Sequence, residues 1–102
     1  MLRQLSATQR SWPLAAPFRI ARGVKTVADT VQVSLRQGEY QGRGESVPYS
    51  RYGETVPLVL AQIASVRTDL EHGAGRRDLQ NLLPPGAARN ALDTALWDLE
   101  SR

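Results

Sequence analysis

The chain has 102 residues, 41% of them hydrophobic and 23% charged, which is enough apolar material for one modest core and one domain, residues 1–102. Cysteine is absent, which excludes a disulfide framework, a thiolate metal site and a cysteine nucleophile, and fits a reducing compartment, the cytoplasm. The net charge of +3 comes almost wholly from arginines scattered between Arg3 and Arg102, with Lys25 the only lysine, and this scatter argues against a phosphate-binding stripe.

The opening Met1-Leu2-Arg3-Gln4-Leu5-Ser6 has no continuous apolar core before Arg10. No later stretch approaches the roughly 20 apolar residues that span a bilayer, so neither secretion nor a membrane partner is expected. Leu2 to Trp12 predicts a first strand that ends at Pro13. Pro17-Phe18 then opens a polar crossing with Arg19, Arg22, Gly23 and Lys25, read as a loop. From there Val31, Val33 and Leu35 alternate with Thr30, Gln32, Ser34 and Arg36, the period of a strand with one buried face. Gln37-Gly38 is a turn signal and Tyr40 to Val47 a second extended stretch, so residues around 26–47 predict an antiparallel hairpin.

A second loop follows in Pro48-Tyr49-Ser50-Arg51-Tyr52-Gly53-Glu54, where Pro and Gly interrupt the periodicity. Val56, Val59, Leu60, Ile63, Val66 and Leu70 then recur at spacings of three and four, predicting a helix near 56–71 with Thr55 as N-cap, Pro57 in its first turn and Gly73 at its end. Asp78 to Leu83 predicts a short helix cut off by Pro84-Pro85, and Gly86 to Arg102 a third. Three strands followed by three helices make an α+β domain, an antiparallel meander with helices on one face. The last helix carries a wide stripe of Ala87, Ala88, Ala91, Leu92, Ala95, Leu96, Trp97 and Leu99, more than a three-stranded sheet can hide, and this predicts a homo-oligomer.

Residues that could carry chemistry are few. Proton transfer, hydrolysis and phosphoryl transfer need convergent titratable groups. His72, the only histidine, stands beside Gly73 at a helix end and reads as a surface residue. Asp93 and Asp98 point away from each other at about 100° per residue, so they are expected in hydrogen bonds or ion pairs, with Asp93 and Trp97 sharing a face. Gly42-Arg43-Gly44-Glu45 lacks the third glycine of a nucleotide fingerprint and lies within a strand, so a bulge or a close backbone approach is expected. The two loops remain. Arg22 and Lys25 could bind a carboxylate, and Tyr49, Arg51 and Tyr52 could wall a pocket, although loop charges are commonly just solvated.

Pro17-Phe18-Arg19-Ile20-Ala21-Arg22-Gly23, Gly42-Arg43-Gly44-Glu45, Pro48-Tyr49-Ser50-Arg51-Tyr52-Gly53-Glu54-Thr55 and the run from Leu83 to Leu99 resemble consecutive landmarks of the L-Ala-D/L-Glu epimerase group of the enolase superfamily. The ending Ala91-Leu92-Asp93-Thr94-Ala95-Leu96-Trp97-Asp98-Leu99 is similar to muconate-lactonising and mandelate-racemase-like enzymes in general. The stretch from Pro48 to Glu54 points more narrowly to the dipeptide epimerases. The resemblance implies an N-terminal α+β cap over a barrel in which two lysines exchange the proton α to a carboxylate, while Mg²⁺ on three barrel acids stabilises the enediolate. The chain stops at Arg102, before any barrel strand, so the resemblance implies no catalytic residue and no metal ligand here, and an isolated chain without activity. It also implies that segments of about 19–28 and 48–55 cover a dipeptide substrate, serving murein-peptide degradation. Some relatives set an arginine of the first segment against the substrate's glutamate side chain. An ungapped reading from Phe18 brings that position to Gly23, beside Arg22. Two other readings stay open: the cap of a muconate cycloisomerase-like or acyl amino acid racemase-like enzyme, or a small basic module that binds nucleic acid or protein.

Overall fold

A computed structural model describes residues 2–20, 23–49 and 53–102, with the side chains of 13–28 outside that description. Strands β1 (Gln4–Ile20), β2 (Gly23–Gln37) and β3 (Tyr40–Ser46) form one antiparallel sheet in the order β1-β2-β3. The alternation from Val31 to Leu35 is its buried face. Val31, Val33 and Leu35 are buried and pair with Gln9, Ala7 and Leu5 on one side and with Ser46, Gly44 and Gly42 on the other. Gly38, at φ 61, supplies the positive φ that turns β2 into β3.

The first strand does not end at Pro13. Pro13 pairs with Val27, the register shifts between Pro13 and Phe18, and pairing resumes at Phe18 with Lys25 and runs on to Ile20 with Gly23. Most of the segment expected as a crossing loop is therefore strand. Proline has no N–H to donate, but at an irregularity it leaves the ladder on either side intact. β3 stops at Ser46, opposite Val31, and beyond that point β1 and β2 continue as a two-stranded arm.

Helix α1 (Val56–Ser65) begins as expected, with the Thr55 side chain accepting from the Leu58 N–H at 3.2 Å and Pro57 in its first turn. The single helix expected to residue 71 is instead two: the backbone departs from helical geometry at Val66 (φ −111, ψ 8), and α2 (Arg67–Glu71) sets off anew. Tertiary bonds account for the break. The Arg3 N–H donates to the Glu71 carbonyl (2.9 Å), the Leu5 N–H to the Glu71 carboxylate (3.0 Å) and the Arg67 guanidinium to the Leu5 carbonyl. Thus α2 covers the outer edge of β1, while Val59, Ile63, Val66 and Leu70 all stay buried.

Helix α3 (Arg76–Leu82) ends ahead of Pro84-Pro85, and α4 (Ala87–Glu100) completes a set of four helices where three were expected. The apolar stripe on α4 packs inside the chain. Ala88, Ala91, Leu92, Ala95, Leu96 and Leu99 are buried against the sheet and the other helices, and only Trp97 stays 60% exposed. That covering removes the ground on which a homo-oligomer was expected. Gly42 and Gly44 admit α4 to the sheet: a Cβ at Gly44 would lie 2.0 Å from the Ala91 carbonyl oxygen, and one at Gly42 2.1 Å from that of Ala95. Close backbone approach is thus the role of these glycines.

Candidate functional site

The two candidate segments leave the sheet at the same end. β3 runs out at Ser46 opposite Val31, just where the arm continues along β2 toward Gly23, and the 48–55 stretch starts from that boundary.

A polar knot across all three strands holds the base of the arm. The Trp12 Nε1–H points at Thr30 Oγ1 and Glu45 Oε2, each 3.0 Å away, and the Thr30 hydroxyl donates to Glu45 at 2.5 Å. The Arg10 guanidinium lies 5.0 Å over the Trp12 ring. Thr30 is buried, and its bond to Glu45 is the main reason that carboxyl sits below its ordinary range. Desolvation opposes the shift, while Trp12 and Arg10 add to it.

The second segment is fastened by Glu54. Its Oε1 accepts from the Tyr49 N–H at 2.9 Å and its Oε2 from the Ala87 N–H at 2.8 Å, while its own N–H donates to the Tyr49 carbonyl at 3.2 Å. Gly53 takes φ 77, a conformation glycine adopts without strain. Tyr49 is 46% exposed. Arg22, Arg51 and Tyr52 lie outside the described residues, as does the side chain of Lys25, whose backbone pairs with Phe18 in the arm. The described parts of the two segments thus lie toward one end of the sheet, and Tyr49 alone among the five candidate side chains is described.

Trp12, Thr30, Glu45 and Glu54 were not singled out as supporting residues from the sequence. For Glu45 a signal existed in the strand alternation, which sets it on the polar sheet face with Thr30. Glu54 had none, because its partners are backbone N–H groups brought together only by folding.

The acids of α4 are structural. Asp93 makes a bidentate pair with Arg76 (2.8 and 3.1 Å), and Arg76 also stacks 4.8 Å over Trp97, so the face shared by Asp93 and Trp97 is bridged by one guanidinium. Asp98 accepts from the Arg43 N–H at 2.9 Å and from Arg102, and these two bonds, the first above all, hold its carboxyl below the ordinary range. His72 is exposed at the end of α2. Among the described residues no three His, Asp or Glu side chains gather as a metal-binding group, so Mg²⁺ fits none of them, and no described helix is long and apolar enough to cross a membrane.

Residues 2–102 match the family model described as mandelate racemase / muconate lactonizing enzyme, N-terminal domain. The chain is 50% identical over 101 residues to the L-Ala-D/L-Glu epimerase of Escherichia coli strain K12, covering 99% of this chain and 32% of that protein. In structure it is similar to an enolase family member from Agrobacterium tumefaciens with homology to dipeptide epimerases, solved with sodium, L-Ala-L-Glu and an ordered loop. The TM-score is 0.91 at 46% identity, over 97% of this chain and 30% of that one. A dipeptide epimerase from Methylococcus capsulatus, complexed with Mg and L-Arg-D-Lys, matches with a TM-score of 0.79 at 30% identity, over 98% of this chain and 31% of that one. The chain thus spans about a third of the length of the relatives it matches.

Proposed function

Because the chain belongs to the mandelate racemase / muconate lactonizing enzyme N-terminal domain family, within the enolase superfamily, we propose that it is the capping and substrate-specificity domain of a dipeptide epimerase acting on L-Ala-D/L-Glu. The observation that carries this reading is the match to the Escherichia coli epimerase, 50% identity over 101 residues, a span that takes in both candidate segments. The parent enzyme works in the cytoplasm on murein peptides, and its catalytic barrel lies in sequence outside this chain. Mg²⁺, present in the Methylococcus capsulatus complex, would be held by that barrel, since the described residues offer it no cage. When bound, the metal supplies electrostatic stabilisation to the ionised substrate.

This chain's own part is recognition and closure. The arm and the 48–55 stretch leave one end of the sheet, so both can lie over the same mouth. Covering it excludes water and strengthens every electrostatic contact to the reacting dipeptide. Arg22 is assigned to the acidic side chain of the substrate, with Lys25 beside it in the same segment. Tyr49, Arg51 and Tyr52 wall the pocket from the other side, a reading supported by the exposed position of Tyr49. The relatives bind dipeptides as different as L-Ala-L-Glu and L-Arg-D-Lys, which suits a scaffold whose covering segments set the choice.

The test is Arg22→Ala in the full-length parent. Loss of one charge-assisted carboxylate contact is worth about 1.5–3 kcal/mol, so kcat/KM for Ala-Glu should fall by roughly one to two decades while that for Ala-Ala changes little. Equal losses on both substrates would remove Arg22 from the specificity role.

A further inference from the structure

Glu54 lends its two carboxylate oxygens to different parts of the fold. One serves the Tyr49 N–H and the other the Ala87 N–H, the first residue of α4, while the Glu54 N–H closes back on the Tyr49 carbonyl. A carboxylate is favoured at a helix N-terminus by the free N–H groups and the helix dipole. Here the second oxygen carries that anchorage across to the loop. The anchor point is firmly seated: Ala87 and Ala88 are buried, and the Ala87 carbonyl accepts from the Ser46 hydroxyl at 2.8 Å, where β3 ends. Gly86 leaves room for the contact, since a Cβ there would lie 2.8 Å from Glu54 Oε2.

Resting on the reading above, in which the 48–55 stretch faces the substrate, we infer that Glu54 is a positioning residue for substrate recognition in the parent enzyme. Its carboxylate sets where Tyr49 stands relative to α4. Glu54 acts through the two backbone N–H groups it binds.

Two variants separate this role from plain stabilisation. Glu54→Gln keeps the length but has one acceptor oxygen for two N–H donors. Glu54→Asp keeps the charge and both oxygens but is one methylene shorter, so it cannot reach both N–H groups at once. In the full-length parent, KM for L-Ala-L-Glu should rise roughly three- to tenfold in each variant, with kcat changing by less than about twofold. In the 102-residue chain, amide hydrogen exchange at Tyr49 and Ala87 should quicken by on the order of tenfold while the Val33 and Leu70 amides keep their protection. Leu79→Ala, a core truncation in α3, serves as the stability control and should lower Tm without raising KM. Unchanged KM and unchanged exchange in both variants would overturn the role, as would a loss that the Leu79→Ala control reproduces. A wild-type parent that turns over no dipeptide would overturn the functional reading itself, and that result is distinct from an active parent with unperturbed variants, which overturns Glu54 alone.

Discussion

Among the described residues, several arginines tie elements together or brace a helix end. Arg76 is divided between Asp93 and the Trp97 ring, Arg3 donates to Gln37 and to the Leu70 and Ala74 carbonyls, Arg67 reaches the Leu5 carbonyl, and Arg102 pairs with Asp98. Guanidinium suits such work because one planar group serves several acceptors. The acids in these networks make stability depend on pH. Glu45 and Asp98 have folded-state pKa values below their ordinary ones, so the unfolded chain binds their protons more tightly. Their contribution is complete above the ordinary carboxylate pKa near 4 and is lost as pH falls through the lower folded values. The urea midpoint should be level from about pH 7 to about pH 5 and decline below about pH 4, and Glu45→Gln and Asp98→Asn should each flatten that decline. A decline identical in wild type and both variants would contradict the assignment. At this scale the sequence was informative for Asp93 and Asp98, whose separation on a helix excluded a paired site, and uninformative for Glu54, whose two N–H partners depend on where α4 docks.

Between elements, α4 approaches β3 closely, and this approach rests on two missing side chains. Gly44→Ala would put a methyl group 2.0 Å from the Ala91 carbonyl oxygen, a backbone atom that cannot swing aside. It should cost at least about 2 kcal/mol. Gly53→Ala meets nothing within 4 Å among the described residues and there carries the strain of φ +77, of order 1 kcal/mol. Urea unfolding of the two variants side by side checks this order, and equal losses would show that α4 does not sit as described. The strand from Val31 to Leu35, its turn at Gly38, the Thr55 cap and the stop before Pro84 were all legible, because each depends on local chemistry alone. The arm was not legible, since Pro13 and Pro17 signal a break that an irregularity in the ladder absorbs. Nor was the division of α1 from α2, because Val66 is neither glycine nor proline and the break follows from bonds between α2 and the edge of β1.

At the scale of the whole molecule, a closed core carries a polar knot at Trp12, Thr30 and Glu45 and a carboxylate clamp at Glu54. Together they fix the bases of two segments that leave one end of the sheet. Such an arrangement is suited to covering a site supplied by another part of a longer polypeptide. The identity with the Escherichia coli epimerase, over a chain that spans 32% of that protein, agrees with this division of labour. The most direct measurement is deuterium exchange at the α-carbon of the glutamate residue in L-Ala-D-Glu and L-Ala-L-Glu, followed by NMR in D₂O with Mg²⁺, for the full-length parent and the 102-residue chain in parallel. The parent should exchange that proton and interconvert the two dipeptides, and the chain should not rise above the buffer blank. Exchange by the chain alone, or none by the parent, would contradict the assignment of this domain as a dipeptide epimerase cap.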